Sequence, residues 1–235
     1  MSLLEIDPRT MKYLKIFFLN LTLLCLPGVF VADAQVKLSK DPAARKVLDA
    51  MQKEMKSHSH LRLKVSYLLI NKQNDSKKQF KAYIFLSGDK YKIIVPENEI
   101  ICNGDTVWTY SKKTQELTIS KNDTSDVSVF TPSQLFSAYR TGYKYLLIGE
   151  EKIKGAVFQV VDLFPELKSK SPYSKIRLKI NKQIHRLQRA EITEKSGLEY
   201  QVDIVDFQPH TKIPDKLFHF NPALYPPDIE IVDMM

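Results

Sequence analysis

Apolar and polar residues alternate along most of this chain, and the period of the alternation changes in only a few places. Leu61, Leu63, Val65, Tyr67 and Leu69 are separated by Arg62, Lys64 and Ser66, the period of a half-buried strand. After a polar loop from Asn71 to Lys78, Phe80, Ala82, Ile84 and Leu86 alternate with Lys81, Tyr83 and Phe85, a second strand with less difference between its faces. Asp89–Val95 reads as a strand ending at Pro96. Asn103-Gly104 lies between the apolar runs Ile100–Cys102 and Val107–Tyr110. Both residues accept positive φ at low cost, so the pair predicts a tight hairpin, and Glu116–Ser120 adds a further strand to this meander. Further strands are expected over Tyr143–Gly149, Ala156–Phe164, Lys175–Asn181, Ile184–Thr193 and Leu198–Phe207. A last short one is expected over Ile213–Pro222, closed by Pro222, Pro226 and Pro227.

Helical spacing occurs twice. Asp41-Pro42 followed by Ala43, Val47, Leu48, Met51 and Met55 predicts an amphipathic helix with a side-chain cap and proline in its first turn, ending near Ser57–Ser59. Thr131-Pro132 opens a shorter one carrying Leu135, Phe136 and Tyr139 and stopped by Gly142. About ten strands and two or three helices in sequential order favour a mainly β fold, an antiparallel curved sheet or barrel, over a βαβ plan.

Such a sheet has more apolar surface than these helices cover. A helix of ~10 residues is about 15 Å long and 10 Å wide, whereas ten strands at ~4.8 Å spacing span some 45 Å before curling. The candidates for the inner side are large: Leu63, Val65, Tyr67, Phe80, Ile84, Tyr91, Ile93, Trp108, Tyr110, Phe158, Val160, Ile176, Leu178, Tyr200 and Val202. An uncovered apolar hollow of that size marks a binding site. The competing arrangement is a sheet that curls tightly enough to fill itself, with Trp108 as ordinary core.

The order Gly88-Asp89-Lys90-Tyr91-Lys92, Pro96, Ile100-Ile101, Asn103-Gly104 and Val107-Trp108-Thr109-Tyr110 resembles the LolA-like outer-membrane lipoprotein carriers, and the resemblance extends more weakly from about Asp41 to Phe220. It implies an incomplete antiparallel barrel whose helices, 41–56 and 131–139, form a lid over an apolar cavity for acyl chains. Tyr91, Ile93, Trp108 and Tyr110 match the family's strand and hairpin positions. With the face assignments above, the implied lipid-binding cavity comprises Leu63, Val65, Phe80, Ile84, Tyr91, Ile93, Trp108, Tyr110, Leu135, Phe136, Tyr139, Phe158 and Val160. The family's lid-tethering arginine falls on Ser87-Gly88 here. Lys90 or Lys92 is the available substitute, without the planar fork of arginine. The implied partners are acylated lipoproteins as cargo, an inner-membrane ABC-type exporter and an outer-membrane receptor. A non-transporting envelope sensor on the same fold is the alternative role.

The N-terminus adds a compartment. From Met11, Lys12 and Lys15 precede an apolar run Ile16–Leu26, and Ala32-Asp33-Ala34 is a small-x-small cleavage site. Residues 1–34 are thus expected to be an extension and signal peptide, and 35–235 one exported domain, soluble in the periplasm. A membrane anchor is the competing reading, but Pro27-Gly28 interrupts the run short of the ~20 residues a span needs. After cleavage Cys102 alone remains, so no intrachain disulfide is available. At 235 residues and 43% hydrophobic, the chain suffices for one core, and its net charge of +8 survives cleavage. Lysines and arginines such as Arg62, Lys64, Lys81, Lys90, Lys92, Lys175, Arg177 and Lys179 alternate with apolar residues, as on a solvated outer face. Export argues against nucleic acid as the partner of these charges.

Chemistry is sparse. No Gly-x-Ser-x-Gly, His-Glu-x-x-His or phosphate-loop motif occurs. His58-Ser59-His60 is the only close histidine pair, too few ligands for a zinc site and expected to be solvated. Neither a catalytic residue nor a cofactor is assigned.

Overall fold

The computed structural model describes residues 40–122, 138–140, 142–166 and 171–235. Among them are one α-helix, α1 (Pro42–Lys56), and twelve strands: β1 (Leu61–Asn71), β2 (Ser76–Ser87), β3 (Lys90–Ile94), β4 (Asn98–Cys102), β5 (Thr106–Ser111), β6 (Glu116–Lys121), β7 (Tyr143–Ile153), β8 (Ala156–Pro165), β9 (Tyr173–Asn181), β10 (Leu187–Glu194), β11 (Leu198–Pro209) and β12 (Glu230–Asp233). They form one curved, open sheet in the order β12-β6-β5-β4-β3-β2-β1-β11-β10-β9-β8-β7. Two meanders, β1–β6 and β7–β11, are joined where β1 pairs with β11 along its whole length, from Leu61↔Pro209 to Asn71↔Leu198. The mainly β, half-barrel fold is therefore as expected.

The hairpin at Asn103-Gly104 forms for the reason its residues suggest. Gly104 takes φ 107°, and Asn103 Oδ1 accepts the backbone N–H groups of Asp105 and Thr106 at 3.0 and 2.8 Å. The start of α1 is equally local. Asp41 Oδ1 accepts the Ala43 N–H at 2.8 Å, while the other carboxylate oxygen accepts the Leu147 N–H of edge strand β7 at 2.9 Å. One side chain thus caps the helix and docks it, and the Leu147 hydrogen bond leads the effects that hold the Asp41 carboxyl below its ordinary pKa of 3.8.

Helix residues Ala44, Val47, Leu48, Met51 and Met55 are buried in a single cluster with Leu61, Leu63 and Val65 of β1, Ile204 of β11 and Ile176, Leu178 and Ile180 of β9. Leu48, Met51, Ile176, Leu178 and Ile180 are fully inaccessible. Each such side chain contributes about 1.5–3 kcal/mol on burial. The helix therefore sits on one face of the sheet, called here the helix face.

The chain after β11 departs from expectation. Instead of one strand over Ile213–Pro222 it makes 3-10 turns at Asp215–Phe218 and Pro222–Leu224 and only later a strand, β12, parallel to β6. Pro214 and Pro222 have no N–H to give to a ladder, so this arm crosses the sheet instead of extending it. It crosses the face opposite the helix. Tyr110 meets Tyr225 edge-on at 4.8 Å, Phe220 stacks on Tyr225 at 4.6 Å, and Tyr225 donates its hydroxyl hydrogen to Glu99 at 2.8 Å. Phe218, Ile101 and Leu117 are buried. The sheet thus has a core on each face, at opposite ends of its strand order.

The predicted segment 1–34 lies outside the described residues. So does the second helix, apart from its last two residues, Ala138 and Tyr139, which stand in a short 3-10 turn, Ala138–Arg140.

Candidate functional site

Strand register decides which predicted residues share a face. Leu63 pairs with Ile84, Ile84 with Ile93, and Ile93 with Ile100, so these four stand side by side on the helix face of β1 to β4. Exposure changes along that row. Leu63 is 2% exposed and belongs to the helix cluster, Ile84 packs against its edge, and Ile93 and Ile100 stay half-buried one and two strands further out. The apolar row therefore continues roughly 14 Å from Leu63, at ~4.8 Å per strand. Beyond it Thr109 and Thr118 turn the row polar.

A second half-buried group lies on the same face toward the other rim. Tyr67 stacks on Phe80 at 4.7 Å and contacts Tyr200 at 5.8 Å. Burial raises the Tyr67 phenol to about 12. Tyr200 gives its hydroxyl hydrogen to Glu194 at 2.6 Å.

Of the predicted cavity residues, Leu63, Val65, Phe80, Ile84, Tyr91 and Ile93 share the helix face. Leu63 and Val65 are core beneath the helix, and Tyr91 is buried beside Cys102. Tyr139 is buried against Tyr145 and donates its hydroxyl hydrogen to Asp49 of α1 at 2.6 Å. Leu135 and Phe136 lie outside the described residues. The structure places the remaining four elsewhere. Trp108 pairs with Ile101 and Tyr110 with Glu99, on the face crossed by the C-terminal arm. Phe158 and Val160 also face away from the helix, since Val161 and Leu163 are the β8 residues aligned with Leu178 and Ile176. A one-residue step along a strand reverses the face, and runs such as Val157-Phe158 and Val160-Val161 are apolar on both sides.

The charged residues show how α1 is held. Lys90 pairs with Asp215 and Lys92 with Glu99, both on the arm side, so neither lysine reaches the helix. The tie comes instead from Arg186, between β9 and β10: its Nε donates to Glu54 Oε1 at 2.7 Å, and its guanidinium lies 4.2 Å from the Phe207 ring centroid. Burial pushes the Glu54 carboxyl up, but the bonds from Arg186 and His58 outweigh it, so the group lies below its ordinary pKa. His58, expected to be solvated, is only 8% exposed and lies 3.1 Å from Glu54. Arg186 escaped the sequence reading because its partner is 132 residues away.

On the outer face some of the basic residues are paired: Arg177 forks onto Asp162 at 2.7 and 2.8 Å, and Lys179 reaches Glu151 at 2.9 Å. Among the described residues no group of three or more His, Cys, Asp or Glu is placed to hold a metal ion, and no helix is long and apolar enough to cross a membrane.

An open curved sheet with one docked helix, whose apolar residues continue along the same face past the helix cluster, is a half-barrel. The chain belongs to the family of the outer membrane lipoprotein carrier protein LolA, whose family model matches residues 96–221. No curated protein matches it. Among solved structures it is similar to an uncharacterized conserved protein from Thermus thermophilus, at 15% identity and TM-score 0.54, covering 81% of this chain and 99% of that one. A LolA superfamily protein from Nitrosomonas europaea follows at 14% identity and TM-score 0.42, covering 75% and 97%. Lipoprotein LppX from Mycobacterium tuberculosis aligns at 15% identity and TM-score 0.44, covering 74% and 100%.

Proposed function

We propose that this protein is a periplasmic carrier that takes lipoprotein acyl chains onto the half-buried part of the helix face and moves lipoproteins from the inner toward the outer membrane. Family membership supports the reading. The observation that carries it is the row Leu63–Ile84–Ile93–Ile100, in which isoleucines continue the apolar face past the buried helix cluster. An acyl chain lying along them regains ~0.8 kcal/mol for each methylene it buries, the amount each loses on leaving the bilayer. No covalent step is needed. In this reading an inner-membrane ABC-type exporter delivers the cargo and an outer-membrane receptor takes it. The docked helix lowers affinity in the empty form by the free energy of moving it, which favours release to a tighter receiver.

The test is loading of the purified protein with a triacylated peptide, read by native mass spectrometry. Ile93→Glu is expected to abolish loading while leaving the far-ultraviolet dichroism unchanged. Trp108→Phe, on the other face, is expected to load normally. Normal loading by both Ile93→Glu and Phe80→Glu would overturn the proposal. In cells, depletion is expected to strand lipoproteins in the inner membrane; intact sorting with an altered envelope stress response would instead mark a sensor.

A further inference from the structure

A cavity of about 370 Å3 opens where β1 begins and β11 ends, away from the isoleucine row. Its walls are Ser59, His60, His210, Thr211 and Lys212, with Ile213 and Pro214 forming an apolar side. None of these residues is acidic. Lys212 has no ion-pair partner among the described residues, and His60 engages Ser59 Oγ through Nδ1 at 3.2 Å, leaving Nε2 for a ligand. The two strand ends are held together by the His210 N–H donating to the His60 carbonyl at 3.1 Å, so both imidazoles hang from one fixed backbone.

The neighbouring charges do not cancel the site. The end of α1 presents partial negative charge, but Lys53 and Lys56 occupy its last turn. Glu54 is committed to Arg186 and His58, and Asp215 to Lys90. Because no three-residue ligand group is present among the described residues, the histidines are placed as hydrogen-bond donors and not as metal ligands.

From this arrangement we infer that the cavity is a binding site for a phosphate-bearing anion, specifically the phosphodiester headgroup of a glycerophospholipid. The Lys212 ammonium and the His60 and His210 imidazoles line one cavity with no carboxylate among its walls, a donor set that suits a tetrahedral oxyanion with many lone pairs; the Thr211 hydroxyl gives its hydrogen to the Gln208 carbonyl at 3.3 Å. The volume lies in the range of ligand pockets, ~300–1,000 Å3, and exceeds what bare phosphate fills, so it leaves room for the esterified alcohol against Ile213 and Pro214. His210 meets the His58 ring at 5.3 Å, and His58 meets Phe207 at 5.5 Å, which links the cavity wall to the end of the helix core. The chain's net charge of +8 draws anions toward it. The inference stands whether or not the isoleucine row carries acyl chains.

The experiment is a titration of the full chain with dihexanoyl-phosphatidylglycerol below its micelle concentration and, separately, with inorganic phosphate, read by the imidazole resonances of His60 and His210. Both resonances are expected to shift with the lipid. Lys212→Gln, at an exposed position that leaves the fold intact, is expected to weaken binding about tenfold. Tighter binding of the lipid than of phosphate supports the headgroup. Equal binding of the two, or phosphate alone binding, overturns the headgroup and leaves a free-anion site. No shift at either histidine with either probe, or unchanged affinity in Lys212→Gln, overturns the site altogether.

Discussion

Glu54 Oε1 accepts the Nε hydrogen of Arg186 at 2.7 Å, and the same oxygen lies 3.1 Å from His58 Nε2. This contact ties the C-terminal end of α1 to the turn between β9 and β10, as Asp41 ties its N-terminal end to β7. Arg186→Ala is expected to cost roughly 1–2 kcal/mol, the worth of a charge-assisted hydrogen bond at a partly exposed site. Hydrogen exchange should quicken from Met51 to Lys56 while β5 and β6 stay protected. Unchanged exchange in the helix would remove Arg186 as its anchor.

Acid should loosen the same helix. The carboxyls of Asp41, Asp49 and Glu54 all have folded pKa values below their ordinary ones, 3.8, 3.8 and 4.5. For Asp49 the main cause is the Tyr139 hydroxyl, followed by burial in the opposite sense and then by Arg45. Their stabilisation is therefore complete at neutral pH. It begins to fall as the pH drops below the unfolded values and is gone below the folded ones. The thermal midpoint is expected to decline from about pH 5 downward, and less steeply in Glu54→Gln. An equal slope in that variant would contradict the assignment.

Tyr225 tests the second core. Tyr225→Phe keeps the contacts with Tyr110 and Phe220 but removes the hydrogen bond to Glu99, and is expected to cost about 1 kcal/mol in urea unfolding. Tyr225→Ala should cost more and shift the emission of Trp108, which shares that face. Acyl ligands bound on the helix face should leave that emission nearly unchanged.

Cys102 is free and fully inaccessible, and burial raises its thiol pKa. Alkylation at neutral pH is expected only after unfolding, because the thiolate is the reactive form and is disfavoured in an apolar setting. Peptide mass mapping would distinguish it from Cys25, and rapid labelling in the folded protein would contradict its burial.

Leu48→Ala provides the stability contrast for the site. Leu48 is 0% exposed beneath the sheet, so its truncation is expected to cost about 2–5 kcal/mol. Ile93→Ala, at a half-buried position, should cost much less. Denaturant midpoints of the two variants check this difference.

Local chemistry alone was enough for β1 to β11, the Asn103-Gly104 hairpin and the capped helix from Asp41. Each depends on residues within a few positions of one another: a period of two, a side chain able to reach the next N–H, a glycine able to take positive φ. The mainly β curved sheet was legible at that level, whereas the incomplete barrel and the place of Tyr91 and Ile93 on the helix face came from the resemblance to the LolA-like family. Face assignment across turns was not. Ile100 aligns with Thr109, so Trp108 falls on the opposite side, and nothing in the composition of either strand distinguishes that register from its neighbour. The arm from Ile213 to Tyr225 reads as a strand because its apolar residues alternate with polar ones, yet it crosses the sheet because Pro214 and Pro222 cannot complete a ladder.

The sequence by itself determined that the segments of β1 to β11 extend, that the stretch after Asp41 coils and that the sheet would have apolar residues to spare. Only the tertiary structure decided where that surplus lies and what holds the helix over it. Sidedness depends on register, and the Arg186–Glu54 contact joins groups that the unfolded chain keeps far apart. Both are settled when β1 pairs with β11 and brings the two meanders together.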